Sequence, residues 1–469
     1  MGENKRLIKN TGIIAIGNMS TKLVSFLLLP LYTTLLSTQE YGTFDYILSI
    51  ATFSVPFVSL LMDESIFRFL IDCKNETEKK KVISTSVLVV GTGISLFTII
   101  GIPVLNSMNC NYTYYAIAYI LISVMSGMLS ALLRGIGRTY QFSIFNFVMG
   151  SLQIFLNVFF IAILHLGLLG MLLASILAQF FVSLIFIIKI KLWKFIDLSL
   201  IDSKSAKDMI VYSLPLIPNK ISWTIINVSD RIIIMNILGS SASGIYAASY
   251  KFPNLMDTIY GFFYQSWKES SARVMGDESQ DRFYNSVYYY LKNFMYSIVI
   301  GMIAFMPVVF KFMINGSYYE AIKYVPILLI ATYFANISGF YGGIFTAYKD
   351  TKIMGTTTIV AALINLIVNV LFISMIGIYA AAMSTLVANF VVYLYRKFKV
   401  KKYITLQENI YNKILAIIIT SAILLMFYSE KTLYILISCF IWIVYAWIIN
   451  RKIIVRIGRQ IGGYLVGRK

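Results

Sequence analysis

The sequence predicts an all-α polytopic membrane protein with about 14 transmembrane helices, and three observations predict it. Of the 469 residues, 58% are hydrophobic and only 13% charged, where soluble domains carry roughly a quarter; mean hydropathy is +0.77. Fourteen apolar runs are each long enough to cross about 30 Å of hydrocarbon. The cations alternate with these runs. With the N-terminus inside, the inward-facing segments hold 29 Lys or Arg and the outward-facing ones hold one, Lys431. That segregation explains most of the +19 net charge and removes the need for a nucleic-acid partner.

The elements follow in order. MGENKRLIKN is short, polar and basic, and the apolar run behind it is too long for a signal-peptide core, so it reads as a retained first helix. The expected spans are 8–36, 42–71, 82–106, 112–133, 142–164, 168–190, 208–238, 244–272, 284–314, 321–346, 353–375, 378–395, 410–428 and 432–450. The longest of these tilt, bend or project from the bilayer. Pro30, Pro56, Pro103, Pro215, Pro218, Pro253, Pro307 and Pro326 all fall within them and predict bends. The organisation expected is a six-helix lobe (1–190), a cytoplasmic linker (191–207), a second six-helix lobe (208–395), a cytoplasmic loop (396–409), helices 13 and 14 (410–450) and a basic interfacial tail (451–469). STQEYGTFDY and GSSASGIYAAS open the two lobes alike. Aligning Gly42 with Gly244 superposes them, and six helices per lobe predicts parallel repeats about an axis along the membrane normal.

Several chemistries lack material. Cys73, Cys110 and Cys439 are far apart with no C-x-x-C, and His165 is the lone histidine, so neither metal nor cofactor is expected. No nucleotide-binding motif is present, which points to secondary transport rather than to an enzyme or an ATP-driven pump. A membrane glycosyltransferase would need a larger polar loop with carboxylates. The 33 Tyr and 33 Phe fit interfacial belts first and sugar stacking second.

Charge at membrane depth costs about 2.5–3.5 kcal/mol per group, so its placement is informative. It concentrates in the first hairpin of each lobe. Asp45, Ser49, Thr52, Ser59 and Asp63 share one helical face, as do Lys220, Thr224, Asn227 and Arg231, and Lys251, Asn254, Thr258, Gln265 and Glu269. Such stripes face protein or water, because lipid cannot satisfy them. Mutual pairing is the plain explanation for the groups near helix ends, with Glu64 and Arg68 in the favoured i,i+4 order. The deeper Lys22, Lys220, Arg231 and Lys251 suit an anionic substrate. Asp230, Asp257, Asn365 and Asn369, together with Asp63, are candidates for ion coupling or charge pairing.

The opening LIKNTGIIAIGNMSTKLVSFLLLPLYTTLLSTQEYGTFDY and the turn GSSASGIYAASYKF resemble Wzx-type oligosaccharide flippases, the polysaccharide-biosynthesis branch of the multidrug/oligosaccharidyl-lipid/polysaccharide (MOP) exporter superfamily. The resemblance implies a MOP/MATE-like fold with a central cavity between the lobes. It implies alternating-access transfer of undecaprenyl-diphosphate-linked oligosaccharide across the bacterial cytoplasmic membrane, coupled to H+ or Na+, for O-antigen, capsule or exopolysaccharide. Lys22, Arg68, Lys220, Arg231 and Lys251 then line the cavity, both termini are cytoplasmic, and a monomer working with membrane lipid and a polysaccharide polymerase is expected. A MATE-type multidrug exporter and a lipid II flippase are the alternatives.

Overall fold

A computed structural model describes residues 26–107, 112–429 and 431–466, and among these it contains helices and turns but no strand. The helices are α1 (Leu29–Leu35), α2 (Thr38–Ser59), α3 (Met62–Asp72), α4 (Glu76–Ser107), α5 (Thr113–Gly135), α6 (Thr139–Asn157), α7 (Gly167–Ile190), α8 (Ser203–Ser213), α9 (Leu216–Ile237), α10 (Ser240–Val274), α11 (Gln280–Met313), α12 (Val325–Ala347), α13 (Thr351–Ile376), α14 (Ile378–Val400), α15 (Ile410–Tyr428) and α16 (Thr432–Val466). Among the described residues ten helices are long and apolar enough to cross a membrane, or eleven when the bent pair α2–α3 counts as one span. The chain is thus the all-α, multi-pass membrane protein the composition predicts. Helices α9 and α10, with 22 and 35 residues, are long enough to span but carry the polar stripes that lower their hydropathy. Most of the expected first span, including Lys22, lies outside the described residues.

Three expected spans are interrupted. The 42–71 run breaks at Leu60 and Leu61, both left-handed (φ 49° and 51°), and bends by 47°. Pro56 lies within α2 one turn earlier and removes a ladder hydrogen bond there. The Ser59 hydroxyl then accepts the Leu61 N–H at 3.2 Å. Gly93 of α4 lets the Val58 carbonyl come close: a Cβ there would sit 2.2 Å from that oxygen. The 208–238 run divides into α8 and α9 around Pro215, and the 142–164 run ends in a π turn at Val158–Ile163. The linker 191–207 is not a plain loop. It carries two short 3-10 turns and the start of α8, whose N-cap Asp202 accepts the Lys204 and Ser205 N–H groups and pairs with Lys81 at 2.8 Å.

The chain forms two compact units, Met1–Ala247 and Ala248–Lys469. In the first, Met62, Ile66 and Leu70 of α3 pack into a core with Ile83, Leu133, Phe145, Phe186 and Met209. Ser65 anchors α8 to α3 by donating to the Met209 carbonyl at 2.8 Å. In the second, Trp267 of α10 stacks on Phe340 at 4.4 Å, donates to its carbonyl at 2.9 Å and closes over Gly343. The C-terminal pair joins this unit through α16. Trp442 lies against Gly301 of α11 and donates to the Ser297 carbonyl at 2.6 Å, while Asn450 donates to the Ser297 hydroxyl at 2.8 Å.

The starts of α2 and α10 approach closely along their backbones. A Cβ on Gly42 would fall 1.9 Å from the Ser240 carbonyl oxygen, and a Cβ on Gly244 would fall 2.0 Å from the Thr38 carbonyl oxygen. The Thr38 and Ser241 hydroxyls meet at 2.7 Å. Thr38-x-x-x-Gly42 and Ser240-x-x-x-Gly244 are small-x-x-x-small pairs, the pattern that lets membrane helices touch along their backbones. The turn before α2 is fixed by a capping box. Ser37 Oγ accepts the Glu40 N–H at 3.2 Å, and Glu40 Oε2 accepts the Ser37 N–H at 2.9 Å. The second Glu40 oxygen accepts the Leu168 N–H at 3.3 Å and so ties the start of α7 to the same turn.

Glu40→Ala removes both the box and the link to α7. It should lower unfolding stability in detergent by about 1–2 kcal/mol, measurable as a lower Tm, with Glu40→Gln losing less.

Candidate functional site

The site is built from α2, α9 and the first turns of α10, all in the first unit. Asp45 is one turn beyond Gly42, on the face where α2 meets α9. Its Oδ1 pairs with Arg231 Nη1 at 3.2 Å, the two side chains being 11% and 17% exposed. Asp230, the preceding residue of α9, points about 100° away around the helix and finds another partner. It is buried and accepts the Tyr246 hydroxyl of α10 at 2.8 Å. One helix thus offers a cation to α2 and a carboxylate to α10. The remaining oxygen of Asp45, Oδ2, is buried and accepts no hydrogen bond among the described residues.

Three more predicted residues lie in this unit. Asp63 is half-buried near the start of α3, within electrostatic reach of Lys220, which is exposed on α9. Arg68 is exposed and pairs with Asp72 at 2.6 Å, not with Glu64. The expected Glu64–Arg68 pair fails because the break at Leu60–Leu61 places Glu64 in the first turn of α3. There it faces the positive end of the helix dipole, and Arg68 turns to the acid at the helix's other end.

The other predicted residues belong to the second unit. Lys251 is half-buried and Asp257 exposed on α10. Asn365 and Asn369 are fully buried on α13, where Asn365 donates to the Ser384 and Thr385 hydroxyls of α14 at 3.2 and 3.3 Å. Hydrogen bonds of this kind join helices inside membranes.

Sequence reasoning passed over two features. Arg396 counts as a loop cation when it is read with the basic run RKFKVKK, yet α14 continues through it and it is 4% exposed. Its guanidinium donates to Thr357 Oγ1 at 2.8 and 2.9 Å and to the Ser338 and Met354 carbonyls at 3.3 and 3.4 Å. No acid pairs with it among the described residues. The signal was present: Ala381, Thr385, Ala388, Val392 and Arg396 recur at helical spacing and are all buried. The second feature is Glu408, just before α15. Lys397, Lys413 and the Tyr288 hydroxyl all donate to it, Lys397 at 2.7 Å and Tyr288 at 2.8 Å, so one carboxylate fastens α11, α14 and α15 together. Burial alone would raise its carboxyl, but the hydrogen bonds from Lys397, Lys413 and Tyr288 outweigh that and hold it down at about 2.

The description "polysaccharide biosynthesis protein" belongs to the family model that matches residues 7–267. The chain belongs to that family. An uncharacterized membrane protein of Methanocaldococcus jannaschii is 24% identical over 428 residues, which is 85% of this chain and 99% of the relative. Among solved structures, the lipid II flippase MurJ in an inward closed conformation superposes with a TM-score of 0.68 at 16% identity, covering 94% of this chain and 99% of MurJ. An inward-facing MATE-family multidrug resistance transporter of the MOP superfamily gives 0.67 at 15% identity, covering 83% and 98%. The fold is therefore the one these two solved transporters share.

Arg231→Ala strands Asp45 in a poorly hydrated site and should cost about 3–5 kcal/mol in detergent unfolding. The neutral pair Asp45→Asn/Arg231→Gln should recover more than half of that loss. Glu408 behaves differently with pH. Its carboxyl is lowered from an ordinary 4.5, so its contribution is complete above that value and is lost only as pH falls through about 2. The Tm gap between wild type and Glu408→Gln should therefore be constant from pH 5 to pH 8.

Proposed function

We propose that this protein is a flippase, and not an enzyme, that moves undecaprenyl-diphosphate-linked oligosaccharide repeat units across the cytoplasmic membrane for a surface polysaccharide such as O-antigen, capsule or exopolysaccharide. The observation that carries this reading is the cationic face of α9 in a chain of the polysaccharide biosynthesis family: Lys220 is exposed, and Arg231, 17% exposed, pairs with Asp45 at 3.2 Å. A diphosphate brings more negative charge and more acceptor oxygens than a carboxylate, so it competes for Arg231 while Asp45 takes up a proton or a cation. In this reading Lys22, Lys251 and Arg68 assist in holding the headgroup. Asp63, Asp230, Asp257, Asn365 and Asn369 supply ion coupling or charge pairing with H+ or Na+.

Access alternates between the two repeats, 1–190 and 208–395. Both termini are cytoplasmic, which places Thr38, Gly42, Ser241 and Gly244 at the outer ends of their helices. The Gly42–Gly244 crossing is then an outer seal, closed here and opened to release cargo. The chain works as a monomer and hands product to a polymerase. A lipid II flippase is the second reading. The MurJ likeness favours it over a multidrug exporter, since it covers 94% of the chain against 83% for the MATE structure.

Lys220→Ala combined with Asp45→Asn/Arg231→Gln should abolish surface polymer at wild-type membrane levels, with Lys220→Arg retaining export. Unchanged polymer in the combined variant contradicts the diphosphate assignment. Loss of viability in place of loss of polymer points to lipid II.

A further inference from the structure

The second unit holds a cavity of about 260 Å³ beside the Glu408 junction, and none of the residues assigned above to cargo or ion coupling lines it. Its polar end is lined by Lys292, Asn293, Glu408, Asn412 and Lys413, and its other end by rings and aliphatic chains that include Phe334, Phe390 and Ile417. The charges do not balance. Glu408 is already engaged at Oε2 by Lys397 and Lys413 and at Oε1 by Tyr288. Lys292, half-buried on the membrane-spanning α11, has no ion pair and no hydrogen bond among the described residues. Its ammonium lies 5.4 Å from the Tyr288 ring centroid. Asn293, 5% exposed and also lining the cavity, has a side-chain Nδ2 with no acceptor among the described residues. A cationic group and a buried amide donor thus face a space where only one carboxylate is present, and that carboxylate is already neutralised.

We propose that this cavity is a binding site for the phosphate of an anionic membrane phospholipid. Unused donors and surplus positive charge call for an anion with several acceptor oxygens, which a phosphodiester supplies. The aromatic and aliphatic end calls for hydrocarbon attached to that anion. Ile417 and Phe390 are exposed on helices that span the bilayer, so the apolar end is continuous with lipid. The polar end adjoins the basic run from Lys397 to Lys402, the sequence feature that marks a leaflet rich in anionic headgroups. At about 260 Å³ the space is below the usual range for drug-sized ligands and fits a headgroup with its first methylenes rather than a sugar-diphosphate repeat unit. An occupant here bridges α11, α14 and α15, and bilayer composition thereby acts on the position of the C-terminal helix pair. The inference is independent of which cargo the protein carries.

The test is thermal unfolding of the purified full chain in a neutral detergent with added dioctanoyl-phosphatidylglycerol, dioctanoyl-phosphatidylcholine or inorganic phosphate. Phosphatidylglycerol should raise Tm saturably, with the other two giving no comparable shift. Lys292→Met should weaken the apparent affinity at least tenfold, and Lys292→Arg should retain it. Ala416→Trp, which fills the cavity wall without removing charge, should abolish the shift and keeps the test decisive where Lys292→Met fails to fold. An equal response to phosphatidylcholine overturns the proposal. So does an equal response to inorganic phosphate, which would make it a free-anion site. An unchanged phosphatidylglycerol affinity in folded Lys292→Met or Ala416→Trp overturns it as well.

Discussion

The structure depends on two glycines that allow two helices to touch along their backbones. Gly42 lies over the Ser240 carbonyl and Gly244 over the Thr38 carbonyl, and no side chain larger than hydrogen fits at either position without displacing a helix. In the repeat alignment Gly42 corresponds to Gly244 and Thr38 to Ser240, so the two contacts are the same contact made twice, as a local pseudo-two-fold relation requires. Lipid gives apolar helices little reason to associate. Close packing of small residues and polar contacts between helices supply the reason. Two polar contacts of the first unit lie close along the chain to this crossing. Asp45 is three residues past Gly42 and Tyr246 two past Gly244, so the approach that joins α2 to α10 also sets the partners of Arg231 and Asp230.

Much of this was legible in the sequence. The fold class followed from apolar runs and the distribution of cations, because bilayer thickness and leaflet charge act directly on sequence. The alignment paired Gly42 with Gly244, although it did not say that these two residues meet. The polar stripes singled out α2, α9 and α10, and the Asp45–Arg231 and Asp230–Tyr246 contacts join these three helices. What the stripes could not give was the partner of each group. Arg68 chose Asp72 over Glu64 because two leucines in left-handed conformation restart the helix, and no residue type announces such a break. Arg396 escaped notice because a basic run reads as a loop, while its burial is decided by the small residues one, two and three turns earlier on the same face.

The two units treat their cations differently. In the first, an acid accompanies the half-buried cation: Asp45 holds Arg231, and one oxygen of that carboxylate accepts no hydrogen bond among the described residues. In the proposed function this pair is the element exchanged, an incoming anion and a small cation or proton replacing it. In the second, Arg396 is held by neutral oxygens, and three lysines surround the single carboxylate of Glu408. A strongly held acid and an excess of cations suit a standing attraction for anions, not a cycle of protonation.

The most direct test of the account is whether the Gly42–Gly244 crossing opens during transport. With Cys73, Cys110 and Cys439 replaced by Ser, Thr38→Cys and Ser241→Cys place two thiols where hydroxyls now meet at 2.7 Å. The measurement is surface polymer in cells carrying this pair, before and after mild oxidation and then reduction. The account predicts that the disulfide forms readily, that polymer export stops when it forms, and that reduction restores export. Export at the wild-type rate with the crosslink fully formed would contradict it.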